Sequence, residues 1–435
     1  MDKKRGGLLS RLFILSYIFV ILFNPPLISG INLRLLLLPF SIIFILFKRG
    51  ITSRVLSILG KRIILLWVIL LVYGFVSVGI DMIIGDGSNQ AALTVSLLTI
   101  CEFVFCSVFY VLFIIVFAYC YEISENELIS IILIAGVIES ILVLLSMVSP
   151  AIKQSFVSFM SDNLKTSNTK ISNYLLNASS KRNFGLADSL YDVFGFTSSI
   201  IYVISLNRAF RRMKAGNWLI TAMLLIMTII NARTGILLAL IGTIVVIIGV
   251  LMERSDKRRF MKVSIFLLIG TFCCIAIASF IENNMPNTYS WISSGFDSTI
   301  SYVNGEGSED YFSQAKDFYF LPEETHNILF GTGVEPKDAI DRGSDVGFIN
   351  EIWKFGFLGL MIEIALFAVL YKNATHGLTS GEQKFNSLFC VIAVAVYAIK
   401  LDPIKDCPGV YLVILMLAIY CVYNYRKTIE DKNEE

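Results

Sequence analysis

Three arginines of this sequence stand close to a glycine and beside a long apolar run, an arrangement that indicates a cationic site at a membrane surface. They are Arg182, Arg233 and Arg342. A guanidinium group stays charged where water is scarce, and its planar fork of N–H donors matches a phosphate or diphosphate group. We therefore predict that the three arginines converge on one external cavity and bind such an anion. The alternative is that each contacts a lipid head group or a local carboxylate.

Arg233 carries the strongest signal, because the apolar runs on both sides of it are short. Trp218–Ile230 precedes the turn that contains Arg233, and Ile236–Leu251 follows it. Thirteen helical residues span about 20 Å and sixteen about 24 Å, against a hydrocarbon core of about 30 Å. The turn is therefore expected to lie at the depth of the lipid head groups or below. A permanent cation at that depth is costly without an anionic partner.

Two side chains are candidates for the proton acceptor of a reaction beside these arginines. His326 follows Glu323 and Glu324, which could orient it, and an imidazole ordinarily titrates near neutral pH. Asp345 is the second candidate, at the start of an apolar run, where a helix dipole alone would also favour a carboxylate. Four further acidic residues lie at or within apolar runs without a predicted role: Glu102, Glu139, Asp192 and Glu363.

The sequence lacks the motifs of metal, nucleotide and nucleic-acid sites. It contains no HExxH, no CxxC pair and no GxxxxGK[ST]. We therefore predict a site with no metal and no cofactor. The basic residues are clustered in short loops, where they are typical of topology signals, so no nucleic-acid partner is predicted.

The elements that must position these residues are membrane helices. The chain is 56% hydrophobic and 16% charged, and its mean hydropathy is +0.72. Such a composition predicts an all-α polytopic integral membrane protein. About twelve transmembrane helices are expected, at residues 11–28, 31–47, 62–83, 92–120, 128–149, 187–206, 216–231, 235–252, 261–281, 346–371, 385–400 and 408–425.

The charge distribution predicts both termini in the cytoplasm, because most of the 36 lysines and arginines then lie in short inner loops or the tails. Residues 1–281 would hold the first nine spans with a smaller outer loop at 150–186. Residues 282–345 would form a large outer loop, and 346–435 the last three spans and the cytoplasmic tail. The large loop mixes aromatic rings with carboxylates and amides, so we predict that it folds. Whether it binds carbohydrate or is only a structural cap stays open.

Four short motifs in this order resemble the bacterial O-antigen polymerase and O-antigen ligase superfamily, which includes other surface-polysaccharide polymerases. The first two are Arg182–Leu186 (RNFGL) and Ala232–Leu238 (ARTGILL). The third is Ile328–Gly333 (ILFGTG) in the large loop. The fourth is Gly347–Asn350 (GFIN) followed by Phe355–Leu360 (FGFLGL). Together they cover roughly the middle of the chain and its tenth predicted span.

The resemblance implies a polysaccharide polymerase, of O-antigen or capsule type, in the bacterial inner membrane. Its substrate would be an undecaprenyl-diphosphate-linked oligosaccharide on the outer side, and its other partner membrane lipid, with a chain-length regulator as a further candidate. Carried over by motif, Arg182 and Arg233 would bind the diphosphate. Ligase members have a histidine next to the span after the large loop, where this chain has Ser344–Gly347. That difference favours a polymerase, with a ligase or a lipid-linked oligosaccharide flippase as alternatives.

Overall fold

We describe the protein from a computed structural model. It describes residues 7–29, 31–84, 90–165, 179, 181–183, 185–188, 192–253, 257–303, 317–376, 380–405 and 408–434. All the regular secondary structure in these ranges is α-helical. The helices in chain order are α1 (Leu8–Phe23), α2 (Leu33–Phe47), α3 (Arg49–Leu59), α4 (Lys61–Ile84), α5 (Gln90–Cys120), α6 (Glu125–Val148), α7 (Pro150–Lys165), α8 (Asp192–Arg212), α9 (Ala215–Asn231), α10 (Arg233–Met252), α11 (Lys257–Asn284), α12 (Pro286–Val303), α13 (Thr325–Phe330), α14 (Pro336–Ile340), α15 (Gly347–Thr375), α16 (Gly381–Lys400) and α17 (Pro408–Glu434).

The chain is a multi-pass, all-α membrane protein. Eight helices in the described ranges are long and apolar enough to cross a membrane, namely α4, α5, α6, α8, α10, α15, α16 and α17. Helices α2 and α3 form a further candidate span that is bent by 98°, and α1 and α9 are apolar but shorter. Each of the twelve predicted spans overlaps a helix. The number twelve itself stays a prediction, because fewer helices meet the length and hydropathy that a full span requires.

Two segments that the sequence assigned to loops are helical. Helix α3 lies in the basic stretch after the second predicted span, and it turns away from α2 at Lys48, where the backbone leaves the helical region. Helix α7 forms the first part of the predicted outer loop 150–186. Residues 166–178 of that loop, and residues 304–316 of the large loop, lie outside the described residues. The described remainder of the large loop is largely helical, in α12, α13 and α14.

Helix α8 is the most buried of the candidate spans, and α10 packs closely against it. The two helices approach at Gly195 and Gly235, where a methyl group on Gly195 would lie 2.2 Å from the Cβ of Ala232. Small residues at a crossing point allow the backbones of membrane helices to come this close. The start of α10, which carries Arg233, is therefore held directly beside the start of α8.

Side-chain contacts define the two ends of the bundle. At one end, which we call the Arg233 end, Asp345 lies 3.5 Å from Lys400, so the start of α15 meets the end of α16. At the opposite end Arg11 lies 2.6 Å from Glu127, joining the start of α1 to the start of α6.

Candidate functional site

Arg182 and Arg233 lie over the same aromatic ring at the Arg233 end. The guanidinium carbon of Arg182 is 4.4 Å from the ring centroid of Trp291, and that of Arg233 is 5.0 Å from it. The two guanidinium groups are therefore less than about 10 Å apart, each in the position of a cation–π contact. Arg233 also donates to the backbone oxygen of Trp291 and, at 2.6 Å, to the hydroxyl of Ser294. Two cations this close, one exposed and one half-buried, form a candidate site for an anion with two negative groups.

The position of Arg233 follows from the junction between α9 and α10. Helix α9 ends at Asn231, Ala232 is extended, and Arg233 is the first residue of α10. The hydroxyl of Thr234 donates to the carboxylate of Asp192 at the start of α8. Arg233 thus begins a helix that is fixed to α8 by this hydrogen bond as well as by the glycine contact.

The segment that carries Arg182 enters the helix bundle and is held there by a buried carboxylate. Glu139 of α6 has no exposed surface, and its Oε1 accepts hydrogen bonds from the backbone N–H groups of Leu186, at 2.9 Å, and Ala187, at 3.1 Å. Glu139 is nine residues, or about 14 Å, from the end of its helix. A methyl group on Gly185 would lie 2.2 Å from the Glu139 carboxylate, so this position requires glycine.

A buried arginine that the sequence analysis did not single out holds the next residue of the same segment. Arg34, only 1% exposed, lies 3.6 Å from the carboxylate of Asp188. The side-chain amide of Asn24 donates to the same carboxylate, and the backbone N–H of Asp188 donates to Phe23 at 2.9 Å. Arg34 is the one charged residue within the second predicted span, and this isolation in an apolar run was the signal that could have found it.

The other predicted site residues are exposed and have partners of their own. Arg342 lies 4.4 Å from the ring centroid of Phe320 and donates to the backbone oxygen of Asp317 at 2.6 Å. His326 is 3.3 Å from Glu324, and Asp345 is the residue that pairs with Lys400. Among the described contacts, the structure groups Arg182 with Arg233 and gives Arg342, His326 and Asp345 separate surroundings.

Helix α15 is interrupted, and the third and fourth motifs meet at the interruption. Gly356 has φ 65° and ψ 179°, so it separates two helical segments. The backbone oxygens of Trp353 and Lys354 accept hydrogen bonds from the N–H groups of Thr332, at 2.6 Å, and Gly333, at 3.0 Å. The Tyr73 hydroxyl donates to the oxygen of Phe355 at 2.7 Å. The ILFGTG motif therefore supplies the donors that the broken helix lacks, which is a structural role.

A charged cluster lies beside this interruption. Lys354, 1% exposed, forms an ion pair with Asp402, and its Nζ is 3.6 Å from Glu335. Glu335 in turn accepts from Lys405 at 2.7 Å. Burial raises the pKa of Glu335, but the charges of Lys354 and Lys405 outweigh burial and hold that pKa below its ordinary value. Lys354 and Asp402 are 48 residues apart in the chain, so local spacing in the sequence does not predict this ion pair.

The described residues contain no group of three or more His, Cys, Asp and Glu side chains arranged to hold a metal ion.

In comparisons with known proteins, no family model and no curated protein matches the chain. The position of the two arginines and the resemblance carried by the four motifs are therefore the grounds for a functional proposal.

Proposed function

We propose that the protein is a membrane-embedded polysaccharide polymerase of the O-antigen or capsule type. It would transfer a glycan from undecaprenyl diphosphate to a hydroxyl of a second lipid-linked repeat unit. The bond between the sugar and the diphosphate breaks, a glycosidic bond to the acceptor oxygen forms, and the acceptor proton passes to a base. The observation that carries the proposal is the convergence of Arg182 and Arg233 on Trp291.

The two arginines suit the charge that develops during this transfer. The leaving group is a diphosphate, whose negative charge increases as the glycosidic bond breaks. Fixed cations beside the leaving oxygens stabilise that charge with little reorganisation, which is a role that a metal ion plays in other transferases. Asp345 and His326 are the two candidates for the base, and both are accessible at the Arg233 end.

In this proposal the Arg233 end faces the outer side of the bacterial inner membrane. Twelve spans would then place both termini in the cytoplasm. The basic residues at the opposite end support this orientation, since Arg11, Arg54 and Arg211 all make their contacts there. Arginine and lysine are enriched on the cytoplasmic side of membrane proteins.

A transporter of lipid-linked oligosaccharide is the second candidate, and the interrupted helix α15 favours it. Transporters often bind their substrates where a membrane helix is broken, and charged side chains inside a membrane often mark a transport pathway. The buried Lys354–Asp402 pair beside Gly356 fits that description. A ligase of the same superfamily would use the two arginines in the same way as a polymerase, with a different acceptor.

The first prediction tests the arginine pair in the purified protein. A radiolabelled polyprenyl-diphosphate glycan is incubated with it, and the length of the product is read on a gel. We expect Arg182→Ala and Arg233→Ala each to lower transfer by about 100-fold or more, as removal of a charge-stabilising donor does in other enzymes. Arg233→Lys should also lose glycan transfer, because an ammonium group cannot form the bidentate hydrogen bonds of a guanidinium group.

Arg342→Ala is the matched control for this experiment, because Arg342 also lies over an aromatic ring but has Asp317 as its partner. It should retain most of the transfer activity. Normal polymer from Arg233→Ala would contradict the proposed site. Movement of the labelled glycan across a vesicle membrane without any new glycosidic bond would identify a transporter instead.

A further inference from the structure

The interruption in α15 brings together acidic side chains that a straight helix would keep apart. Glu351 precedes Gly356 and Glu363 follows it, and twelve residues of continuous helix would separate them by about 18 Å. Their carboxyl groups are instead adjacent, and Glu351 also lies beside Asp402. Both glutamates are almost fully buried, at 1% and 3% exposure.

The cationic half of this cluster is already satisfied. Lys354 pairs with Asp402 and lies near Glu335, which is also paired with Lys405. Asp402 accepts a further hydrogen bond, at 2.9 Å, from the backbone N–H of Ile404. The buried Lys354 therefore has its charge balanced by residues other than the two glutamates.

Three of the four carboxylate oxygens of the two glutamates lack a donor among the described residues. Neither carboxylate oxygen of Glu351 receives a hydrogen bond from a described donor, and neither does Oε2 of Glu363. Two adjacent buried carboxylates that are both ionised would repel each other strongly and would each forfeit the hydrogen bonds of water. One proton placed between them removes the repulsion and supplies the missing donor.

We propose that Glu351 and Glu363 form a buried proton-binding site that holds a single proton between them. This inference is independent of the polymerase proposal. Glu335 is partly exposed and Lys405 largely so, and together with the Lys354–Asp402 pair they connect the site to the surface at the Arg233 end. The titratable and charged groups around it, from every described element that packs at the break, are Tyr73, Glu335, Lys354, Asp402 and Lys405.

A hydrophobic carbodiimide provides a direct test, because it reacts with protonated carboxyl groups in apolar surroundings. The carboxyl oxygen bonds to the carbodiimide carbon, the proton moves to nitrogen, and the adduct keeps the mass of both reactants. The full-length protein in lipid nanodiscs is labelled with N,N′-dicyclohexylcarbodiimide over a pH series and digested with trypsin. Cleavage after Arg342, Lys354 and Lys372 separates Glu351 from Glu363. Asp345, exposed and on the same peptide as Glu351, is an internal control.

The expected result is at most one adduct per molecule on the glutamate pair, with none on Asp345. Labelling should fall as the pH rises, because the reagent reacts with the protonated carboxyl group and loss of the shared proton removes it. In Glu363→Gln the amide donates to Glu351 and the like charge is gone, so labelling of Glu351 should fall about tenfold. Glu351→Gln should lower labelling of Glu363 in the same way.

Three outcomes would overturn the proposal. The first is absence of labelling in the wild-type protein, which would show that both carboxyls are ionised. The second is labelling of both glutamates in one molecule, or labelling of Glu351 that is unchanged in Glu363→Gln. The third is suppression of labelling by sodium at constant pH, which would show that the site holds a metal cation. The wild-type pH series needs no substitution and uses no glycan substrate, so its result does not depend on the folding of a variant or on the polymerase proposal.

Discussion

Trp291 is the side chain through which Arg182 and Arg233 are related, and it contacts both guanidinium groups without carrying charge. Its ring keeps the two cations near each other, and the negative face of the ring offsets part of their mutual repulsion. A diphosphate that binds there would meet two arginines that are already oriented. Trp291 is therefore a positioning residue in the proposed reaction.

The second prediction concerns this ring. Trp291→Ala should lower the rate of glycan transfer by about tenfold, because two cation–π contacts of about 0.5 to 1 kcal/mol each are lost. Trp291→Phe, which retains an aromatic face, should keep most of the activity. The rates are measured with purified protein at saturating and limiting donor. Equal activity of the Ala variant and the wild type would show that the ring does not orient the arginines.

Glu139 is a second single residue on which the proposed site depends, because it holds the segment that follows Arg182. It accepts two backbone hydrogen bonds at a position with no exposed surface. The third prediction is that Glu139→Ala lowers the free energy of unfolding by about 1 to 3 kcal/mol, the cost of leaving buried donors unsatisfied. Glu139→Gln keeps an acceptor oxygen and should be much closer to the wild type.

Thermal unfolding of the two variants in detergent measures that difference. A cysteine placed at position 182 provides a second measurement, since its reaction rate with a water-soluble maleimide reports the position of the segment. The rate should change in the Glu139→Ala background and stay the same in the Gln background. Equal stability of the two variants would contradict the role assigned to the Glu139 carboxylate.

At the scale of elements, the proposed proton site and the packing of the ILFGTG segment both depend on the interruption of α15. Gly331 and Gly356 both have positive φ. Gly331 faces the backbone of Lys354 and Gly356, and Gly356 faces the backbone of Leu329 and Phe330. A methyl group on Gly356 would lie 2.3 Å from the oxygen of Leu329. The contact between the 331–333 segment and the break in α15 therefore requires a glycine in each of the two segments.

The fourth prediction is that Gly356→Ala destabilises the protein by about 2 kcal/mol or more, because its positive φ is strained for alanine and the backbone of Leu329 leaves no room. Gly79→Ala on α4 is the matched control, since nothing lies within 4 Å of the added methyl group. Its midpoint of thermal unfolding should be unchanged or slightly higher. A stable Gly356→Ala variant would mean that α15 can run straight.

The two histidines lie at opposite ends of the helix bundle. Labelling at their positions therefore tests the orientation of the whole molecule in the membrane. His326 is on α13, which packs beside Ser77 near the end of α4, and His376 follows the end of α15. Both residues are exposed. They form a matched pair because neither lies within a candidate span.

The fifth prediction uses single cysteines at these positions in a cysteine-free background. A membrane-impermeant maleimide added to intact cells should label His326→Cys and leave His376→Cys unlabelled until the membrane is permeabilised. The reverse pattern would place the Arg233 end in the cytoplasm. Labelling of both in intact cells would contradict an opposite placement of the two ends.

The amino-acid sequence by itself determined that this is a helical membrane protein and where its long apolar helices lie, because hydropathy is a property of contiguous residues. Each predicted span overlaps a helix, and the first two motifs led to Arg182 and Arg233. Charge counts also predict which helix ends face the cytoplasm, and that orientation stays a prediction. These features depend on composition within about twenty residues, so they can be predicted without knowledge of packing.

Contacts between residues that are distant in the chain depend on how the helices pack. They leave no local sequence pattern from which they could be predicted. Arg233 meets Trp291 across 58 residues, and Asn24 meets Asp188 across 164. Glu351 and Glu363 are adjacent only because α15 breaks at Gly356, and that break exists only where the 331–333 segment supplies donors. Because a buried charge takes whichever partner packing brings to it, only the folded structure identifies the partners of Arg34, Lys354 and Arg233.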